Sequence, residues 1–230
     1  MNKILGNFDK YDLEAKFFPL ILAFLPLVIF FYSVQGFFNG PNLLLRIVSS
    51  SILFGALAYS LMDLIRNLGK ELENRIFDHE MSFPTTELLL HSNDFFSREK
   101  KKLIYDKVKK DFGTLLFNPT QEHADEKIAR KKIVETVGQM RQKVDKGRLL
   151  IKYNMRYGFW RNLIAASPIA AALAFISSVV LIVFLNNLVS GVLILLLFVG
   201  YLCLWIFRKQ IIIPFANQYA NQFFLEYLRS

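Results

Sequence analysis

Two dense clusters of basic residues are the part of this sequence best suited to bind a ligand. One lies within residues 98–110 and the other within residues 127–132. Clustered lysine and arginine side chains attract phosphates, so both clusters predict contacts with an anionic partner. The candidate contact residues are Arg98, Lys101, Lys102, Lys109, Lys127, Arg130 and Lys131.

The chemistry of these clusters fits more than one anionic partner. Anionic lipid, a nucleotide such as a cyclic nucleotide messenger, a nucleic acid and an acidic protein surface all stay open. Few aromatic residues are interleaved with the lysines. Platforms for single-stranded nucleic acid usually stack bases on aromatic rings, so this composition argues against a dedicated platform of that kind.

The remaining polar residues do not form a pattern typical of an enzyme. The three histidines, His79, His91 and His123, are far apart and lack the spacing of a metal site. We find no glycine-rich phosphate loop, nucleophile elbow or paired acid motif in the sequence. The single cysteine, Cys203, lies in an apolar run, which excludes a disulfide framework. We therefore predict a protein without catalytic activity, metal or cofactor.

Four long apolar runs must position the basic clusters. They cover residues 17–38, 47–62 (extended by 43–45), 167–185 and 188–207, and about 20 apolar residues are enough to cross a bilayer. Pro26 should kink the first run, while Ser167 and Pro168 predict the N-cap and first residue of the third helix. The sequence thus predicts an all-α integral membrane protein in which two transmembrane helical hairpins flank a small cytoplasmic helical bundle.

Charge predicts how these runs are oriented. Residues 63–161 hold 21 Lys and Arg against 15 Asp and Glu, whereas the links 39–42 and 186–187 carry no charge. Positive residues resist translocation, so the central stretch and both termini should face the cytoplasm. The predicted segments are a cytoplasmic N-terminal segment (1–16), transmembrane hairpin 1 (17–62), a basic helical domain (63–161), transmembrane hairpin 2 (162–207) and an amphipathic C-terminal helix (208–230).

Helix signals recur through the basic domain. The second run should continue as a helix, and a short helix is expected over residues 87–91. Ser97 should cap a helix that ends near Gly113, and Asn118 with Gln121 predicts the start of the longest helix. The residues expected to be buried are Leu64, Leu68, Leu72, Ile76, Ile104, Val108, Ile133, Val137, Met140 and Val144.

The last segment has the pattern of an amphipathic helix. Phe215, Tyr219, Phe223 and Tyr227 form an aromatic row, and amides form the opposite face at Asn217, Gln218, Asn221 and Gln222. Such a helix lies either in the lipid interface or against the basic domain, and the sequence leaves both open.

Small residues recur along the predicted membrane helices. On the third run they are four apart, at Ala166, Ala170, Ala174 and Ser178, and the second run offers Gly55. Small residues let helix backbones approach closely, so they predict helix packing either between the two hairpins of one chain or between subunits of a homo-oligomer.

Two stretches carry a resemblance to a known class of proteins. They are residues 83–94 and residues 154–162, the second of which lies just before the third apolar run. With the layout of two spans, a helical insert and two spans, the chain resembles the four-transmembrane effectors of bacterial anti-phage defence islands that are associated with nucleotide second messengers. The resemblance implies a bacterial inner-membrane protein that disrupts membrane integrity after an upstream sensor or nucleotide signal.

The second stretch also has a physical interpretation of its own. Arg156, Tyr157, Trp160 and Arg161 have the residue types of a membrane interface. They predict an interfacial anchor or a joint that couples the basic domain to the third helix. The alternative to an effector is a membrane scaffold or sensor subunit that recruits a soluble defence protein through its basic domain.

Overall fold

A computed structural model describes residues 10–34, 51–144 and 147–230, with the side chains of residues 51–57 left aside. The link at residues 39–42 and the start of the predicted second span, through residue 50, therefore lie outside the described residues, whereas the backbone of residues 51–62 is helical and continues as a helix to Phe77. The surroundings of Gly55 also lie outside what is described. Every regular element among the described residues is a helix, which confirms the all-helical class for this part of the chain.

The helices are numbered here in chain order. They are α1 Lys10–Val34, α2 Ser51–Phe77, α3 Pro84–Glu87, α4 Arg98–Phe112, α5 Pro119–Ala124, α6 Glu126–Lys143, α7 Arg148–Phe184, α8 Leu188–Ile206 and α9 Arg208–Arg229. Two of them contain a π-helical turn, Leu13–Phe17 in α1 and Val180–Phe184 at the end of α7.

Three of the described helices, α1, α7 and α8, are long and apolar enough to cross a membrane. Their lengths are 25, 37 and 19 residues. At about 1.5 Å per residue each exceeds or approaches the roughly 30 Å of a hydrocarbon core. Asn187 caps α8 by accepting a hydrogen bond from the Ser190 amide, and Asn186 has a left-handed φ of 50°.

The predicted start of the third span at Ser167 is wrong. The helix α7 begins at Arg148 and runs through Pro168. Proline has no amide hydrogen, so Pro168 cannot donate to the carbonyl of Ile164, four residues earlier. The Ser167 hydroxyl donates to that carbonyl at 2.7 Å, which explains how the helix continues through the proline.

The described residues fold as two compact units. The first draws on Met1–Leu72 and Gly158–Ile211, and the second on Glu73–Tyr157 and Ile212–Ser230. The chain passes between the units three times, and each passage lies inside a helix, namely α2, α7 or α9.

The core of the second unit contains residues from α4, α6 and α9. Ile104, Val108, Ile133, Val137 and Met140 are buried as predicted, and Val144 lies at the edge of the same core. The aromatic residues Phe223, Phe224 and Tyr227 of α9 complete it. Of the two roles predicted for the C-terminal helix, packing on the basic domain is therefore confirmed. Gln222, expected on the polar face, is buried and donates to Glu226 at 2.9 Å.

Local capping signals in the second unit are confirmed at three places. Ser97 accepts from the Lys100 amide, Gly113 ends α4 with a φ of 66°, and Asn118 forms a capping box with Gln121. That box, however, opens the six-residue helix α5, and the long helix α6 starts anew at Asp125, whose side chain accepts from the Ile128 amide.

Two further helix predictions are wrong. The short helix is α3, Pro84–Glu87, with Pro84 in its first turn, instead of residues 87–91. In α2 the buried positions include Met62, Ile65 and Leu72, while Leu64 is 50% exposed. The pattern of leucines was misleading because Met62 and Ile65, which pack in the core of the first unit, set the buried face.

Candidate functional site

Some residues of the first basic cluster are buried and hydrogen-bonded within the second unit. Lys101 is only 5% exposed, and its ammonium donates to the carbonyls of Leu90, at 2.6 Å, and Asn93. Burial lowers its pKa, and the charges of Asp94 and Glu122 partly offset that effect. Lys101 is thus a structural residue, and its predicted role as a surface contact is wrong.

Several other basic residues also have partners within the second unit. Arg130 forms ion pairs with Glu87 and Glu126, both at 2.6 Å, so its predicted role as a free ligand contact is not supported. Lys143 forms an ion pair with Asp111 at 3.0 Å, and this contact lowers the pKa of the Asp111 carboxyl. Cation–π contacts engage further lysines, Lys100 over Phe96, Lys107 over Tyr227 and Lys132 over Phe117.

Six basic residues of the two clusters are exposed, and these are what a partner could reach. On α4 they are Arg98, Lys102, Lys109 and Lys110, and on α6 they are Lys127 and Lys131. Glu99 and Asp106 lie exposed among those of α4. This surface therefore carries both signs of charge with an excess of positive charge. That excess is smaller than the number of Lys and Arg residues in the two clusters suggests, because several of them are buried or paired.

One polar cleft of the second unit lies beside α5. It has a volume of about 420 Å³ and is lined by His91, Ser92, Pro119, Glu122, His123 and Glu126. Both oxygens of the buried Glu122 are occupied, because they accept from the amides of His91 and Ser92 at 2.9 and 3.1 Å. Glu122 thus fastens the 88–94 segment to α5. Among the residues that the structure describes, no group of three or more His, Cys, Asp or Glu side chains could hold a metal ion.

A second pocket of the same unit has about 220 Å³ of space. Its lining combines a cation, an amide, aromatic rings and aliphatic side chains, from Arg141, Val144, Leu150, Ile151, Asn154, Tyr219 and Phe223. Such a lining suits a small planar ligand with an anionic group. This volume is below the roughly 300–1,000 Å³ of pockets that bury whole drug-sized ligands.

The stretch predicted as an interfacial joint is helical and mostly enclosed. Arg156 is exposed and Trp160 is half-buried, and their interfacial role stays a prediction. Tyr157, however, is buried, stacks on Tyr219 with ring centroids 6.2 Å apart, and donates to Glu73 at 2.5 Å. Its predicted role as an interfacial anchor is wrong because its hydroxyl and ring both have partners inside the second unit.

Arg161 also differs from its predicted role beside lipid phosphates. It is 7% exposed within the first unit, where its Nε donates to the Asn162 Oδ1 at 3.3 Å.

The small residues Ala166, Ala170, Ala174 and Ser178 are all buried. The three alanines pack with Leu20, Ala23, Met62 and Ile65, so packing within one chain, the first of the two predicted roles, is what the structure shows.

Sequence reasoning missed the polar junction around Asn162. The Asn162 amide is fully buried in the first unit and contacts both Ala15 of α1 and Gly69 of α2. A signal was available, because Gly69 and Gly158 interrupt helical patterns, and a glycine inside a helix often marks a close approach of two backbones.

The geometry defines a class of protein, and the comparisons add no family to it. The described residues are helical, three of their helices are long and apolar enough to cross a membrane, and the C-terminal helix completes the core of the second unit. No protein-family model matches the chain, and neither a curated protein nor a solved structure matches it.

Proposed function

We propose that this protein is an inner-membrane effector of a bacterial anti-phage defence system, which assembles and disrupts membrane integrity when an upstream sensor or nucleotide signal triggers it. The observation that carries the proposal is the continuity of the helices. Every passage of the chain between the two units lies inside a helix. A change in the second unit can therefore pass along regular helices into the first, which a flexible tether would not allow.

A hydrogen bond inside the second unit supports this coupling. Glu73 of α2 is the first residue of the unit after one passage, and Tyr157 of α7 is the last residue before another. The Tyr157 hydroxyl donates to the Glu73 carboxylate at 2.5 Å. A hydrogen bond to a charged group is among the stronger ones in proteins, so it ties the two helices together where they enter the unit.

The proposed topology places both termini and the second unit in the cytoplasm, with two transmembrane hairpins. The directions of the described helices support it. Ala15 contacts Asn162, and further along both helices Ala23 and Ala166 line one crevice, so α1 and α7 run the same way. Two parallel helices enter the bilayer from the same side, which agrees with the excess of positive charge in residues 63–161.

Single-cysteine labelling in intact cells tests this topology. In a Cys203→Ser background, we expect a membrane-impermeant thiol reagent to label Asn186→Cys, because that residue lies in the exposed link before α8. Ser97→Cys should be labelled only after the cells are opened. Labelling of Ser97→Cys from outside would overturn the proposed orientation, since Ser97 lies in the unit assigned to the cytoplasm.

The effector proposal predicts a loss of membrane potential. Cells that carry the native neighbouring genes should depolarise during phage challenge, as a voltage-sensitive dye would report. Tyr157→Phe removes the bond to Glu73 and should slow depolarisation by roughly tenfold, in keeping with a hydrogen bond to a charged group.

The control is Tyr153→Phe on the same helix, at a half-buried position one turn earlier. It should depolarise like the native protein, and all three proteins must reach equal abundance in the membrane. An unchanged potential in cells that the native protein protects from phage would reject the effector role and favour a scaffold.

The scaffold that recruits a soluble defence protein is the second candidate, and one observation favours it. The second unit exposes large apolar side chains, Phe95, Leu103, Leu115 and Ile128, each more than half accessible. Exposed apolar groups among charges are typical of protein contact surfaces. Replacing Leu103 with Glu should abolish capture of a partner encoded by a neighbouring gene without changing the membrane potential.

A further inference from the structure

The first membrane helix carries a π-helical turn at its start. Over residues Leu13–Phe17 the helix is widened, and the Phe18 amide donates to the carbonyl of Leu13, five residues earlier. A π turn accommodates one more residue than an α turn and is found frequently at functional sites. Removing it would rotate one side of the helix against the other by about 100° and shift it by about 1.5 Å.

A buried amide from another helix contacts this turn. Asn162 of α7 is 0% exposed, and its Nδ2 donates to the carbonyl of Ala15 at 2.6 Å. Its Oδ1 accepts from the Arg161 Nε at 3.3 Å. The orientation of the amide is fixed by chemistry, because a carbonyl can only accept and a guanidinium can only donate.

Two glycines make room for this arrangement. A methyl group at Gly158, one turn before Asn162, would lie 3.0 Å from the Ala15 Cβ and 3.2 Å from the Tyr11 hydroxyl. A methyl group at Gly69 of α2 would lie 2.1 Å from the Asn162 Oδ1. The missing side chain at Gly158 of α7 lets that helix approach α1, and the missing side chain at Gly69 of α2 leaves room for the Asn162 amide.

We propose that Asn162 is a latch that holds α1 in its π register, and that releasing it lets the turn relax to an α turn and shifts the helix by one residue. The contact is suited to this role because an interhelical hydrogen bond in a membrane protein contributes modestly, so a conformational signal can break it. If the proposed effector function is right, this register shift is the change in the first unit that follows activation. The latch itself can be tested independently of that function.

Crosslinking reports the register directly. Ala23 and Ala166 line one crevice, so in the Cys203→Ser background the pair Ala23→Cys and Ala166→Cys should be joined by a short thiol crosslinker in reconstituted full-length protein. When the π turn is lost and the N-terminal end of α1 stays fixed, Leu22 moves into the place of Ala23. The ratio of the Leu22 to the Ala23 crosslink measures the shift.

Two variants should raise this ratio. Asn162→Leu keeps the size of the side chain and removes the hydrogen bond, and Gly69→Ala displaces the amide without changing it. We expect each to raise the ratio by about 3- to 30-fold, the range that follows from measured interhelical hydrogen bonds in membranes. Gly200→Ala in α8 is the matched control, because no heavy atom outside its own local backbone lies within 4 Å of a methyl group there.

Each outcome decides the proposal. A raised ratio in both variants with a native ratio in Gly200→Ala supports a latch. An unchanged ratio in variants that accumulate normally overturns it. If neither Asn162→Leu nor Gly69→Ala accumulates, the amide is needed to fold the unit, and a latch is equally ruled out. Depolarisation is not part of the readout, so failure of the effector proposal would leave this result intact.

Discussion

Replacing Phe224 with alanine is expected to destabilise the second unit by about 3–5 kcal/mol, the usual cost of truncating a buried phenylalanine. Phe224 is 0% exposed, and its ring packs edge-to-face on Phe96 and Phe223 with centroids 5.7 and 5.3 Å away. It belongs to α9, so the loss would show that the C-terminal helix is part of the core and does not lie free in the lipid interface.

The measurement is hydrogen–deuterium exchange of α4 and α6 amides in the full-length protein in nanodiscs. Those amides should exchange through opening of the unit, so their protection should fall with its stability. Phe95→Ala is the matched control, because Phe95 is 59% exposed and its loss should cost less than about 1 kcal/mol. Equal protection in Phe224→Ala and Phe95→Ala would show that α9 does not contribute to the core.

Neighbouring lysines should respond very differently to the same substitution. Lys101→Met is expected to cost about 2–4 kcal/mol, because it leaves the carbonyls of Leu90 and Asn93 without their charged donor. Methionine keeps most of the apolar stem, so the loss reports the ammonium group. Lys102→Met, one residue along at an exposed position, should change stability by less than about 0.5 kcal/mol.

Hydrogen–deuterium exchange of the segment that follows α3 would distinguish Lys101→Met from Lys102→Met. Amides near Leu90 and Asn93 should exchange faster in Lys101→Met and unchanged in Lys102→Met. A functional assay adds a second contrast, since binding to anionic vesicles should weaken in Lys102→Met if the exposed lysines contact lipid. Identical stability of the two variants would refute the structural role of Lys101.

Features that depend on a few neighbouring residues could be predicted from the sequence. The caps at Ser97, Gly113 and Asn118 were predictable because each side chain or backbone angle acts within its own turn. The break at Asp125 was harder to see, because a strong start signal seven residues earlier suggested one continuous helix. Asp125 accepts from the Ile128 amide, which is itself a capping signal.

Features that depend on contacts between distant parts of the chain were either not predicted or predicted wrongly. Lys101 lies in a run of three lysines, and local charge cannot tell which one is buried. Its spacing from Ile104 and Val108 could have shown it, because the three positions share one face of the helix. The bond between Asn162 and Ala15 joins residues 147 positions apart, so no local pattern contains it.

The position of α9 in the chain has a consequence for biosynthesis. The aromatic residues that close the core of the second unit follow both α7 and α8, so they leave the ribosome after the helices that can enter the membrane. At about 5–20 residues per second, α4 and α6 wait on the order of ten seconds for Phe224 and Tyr227. During that interval the apolar faces of α4 and α6 lack their cover and need protection from aggregation. A nascent chain therefore cannot complete the core of this unit before α7 and α8 have been synthesised.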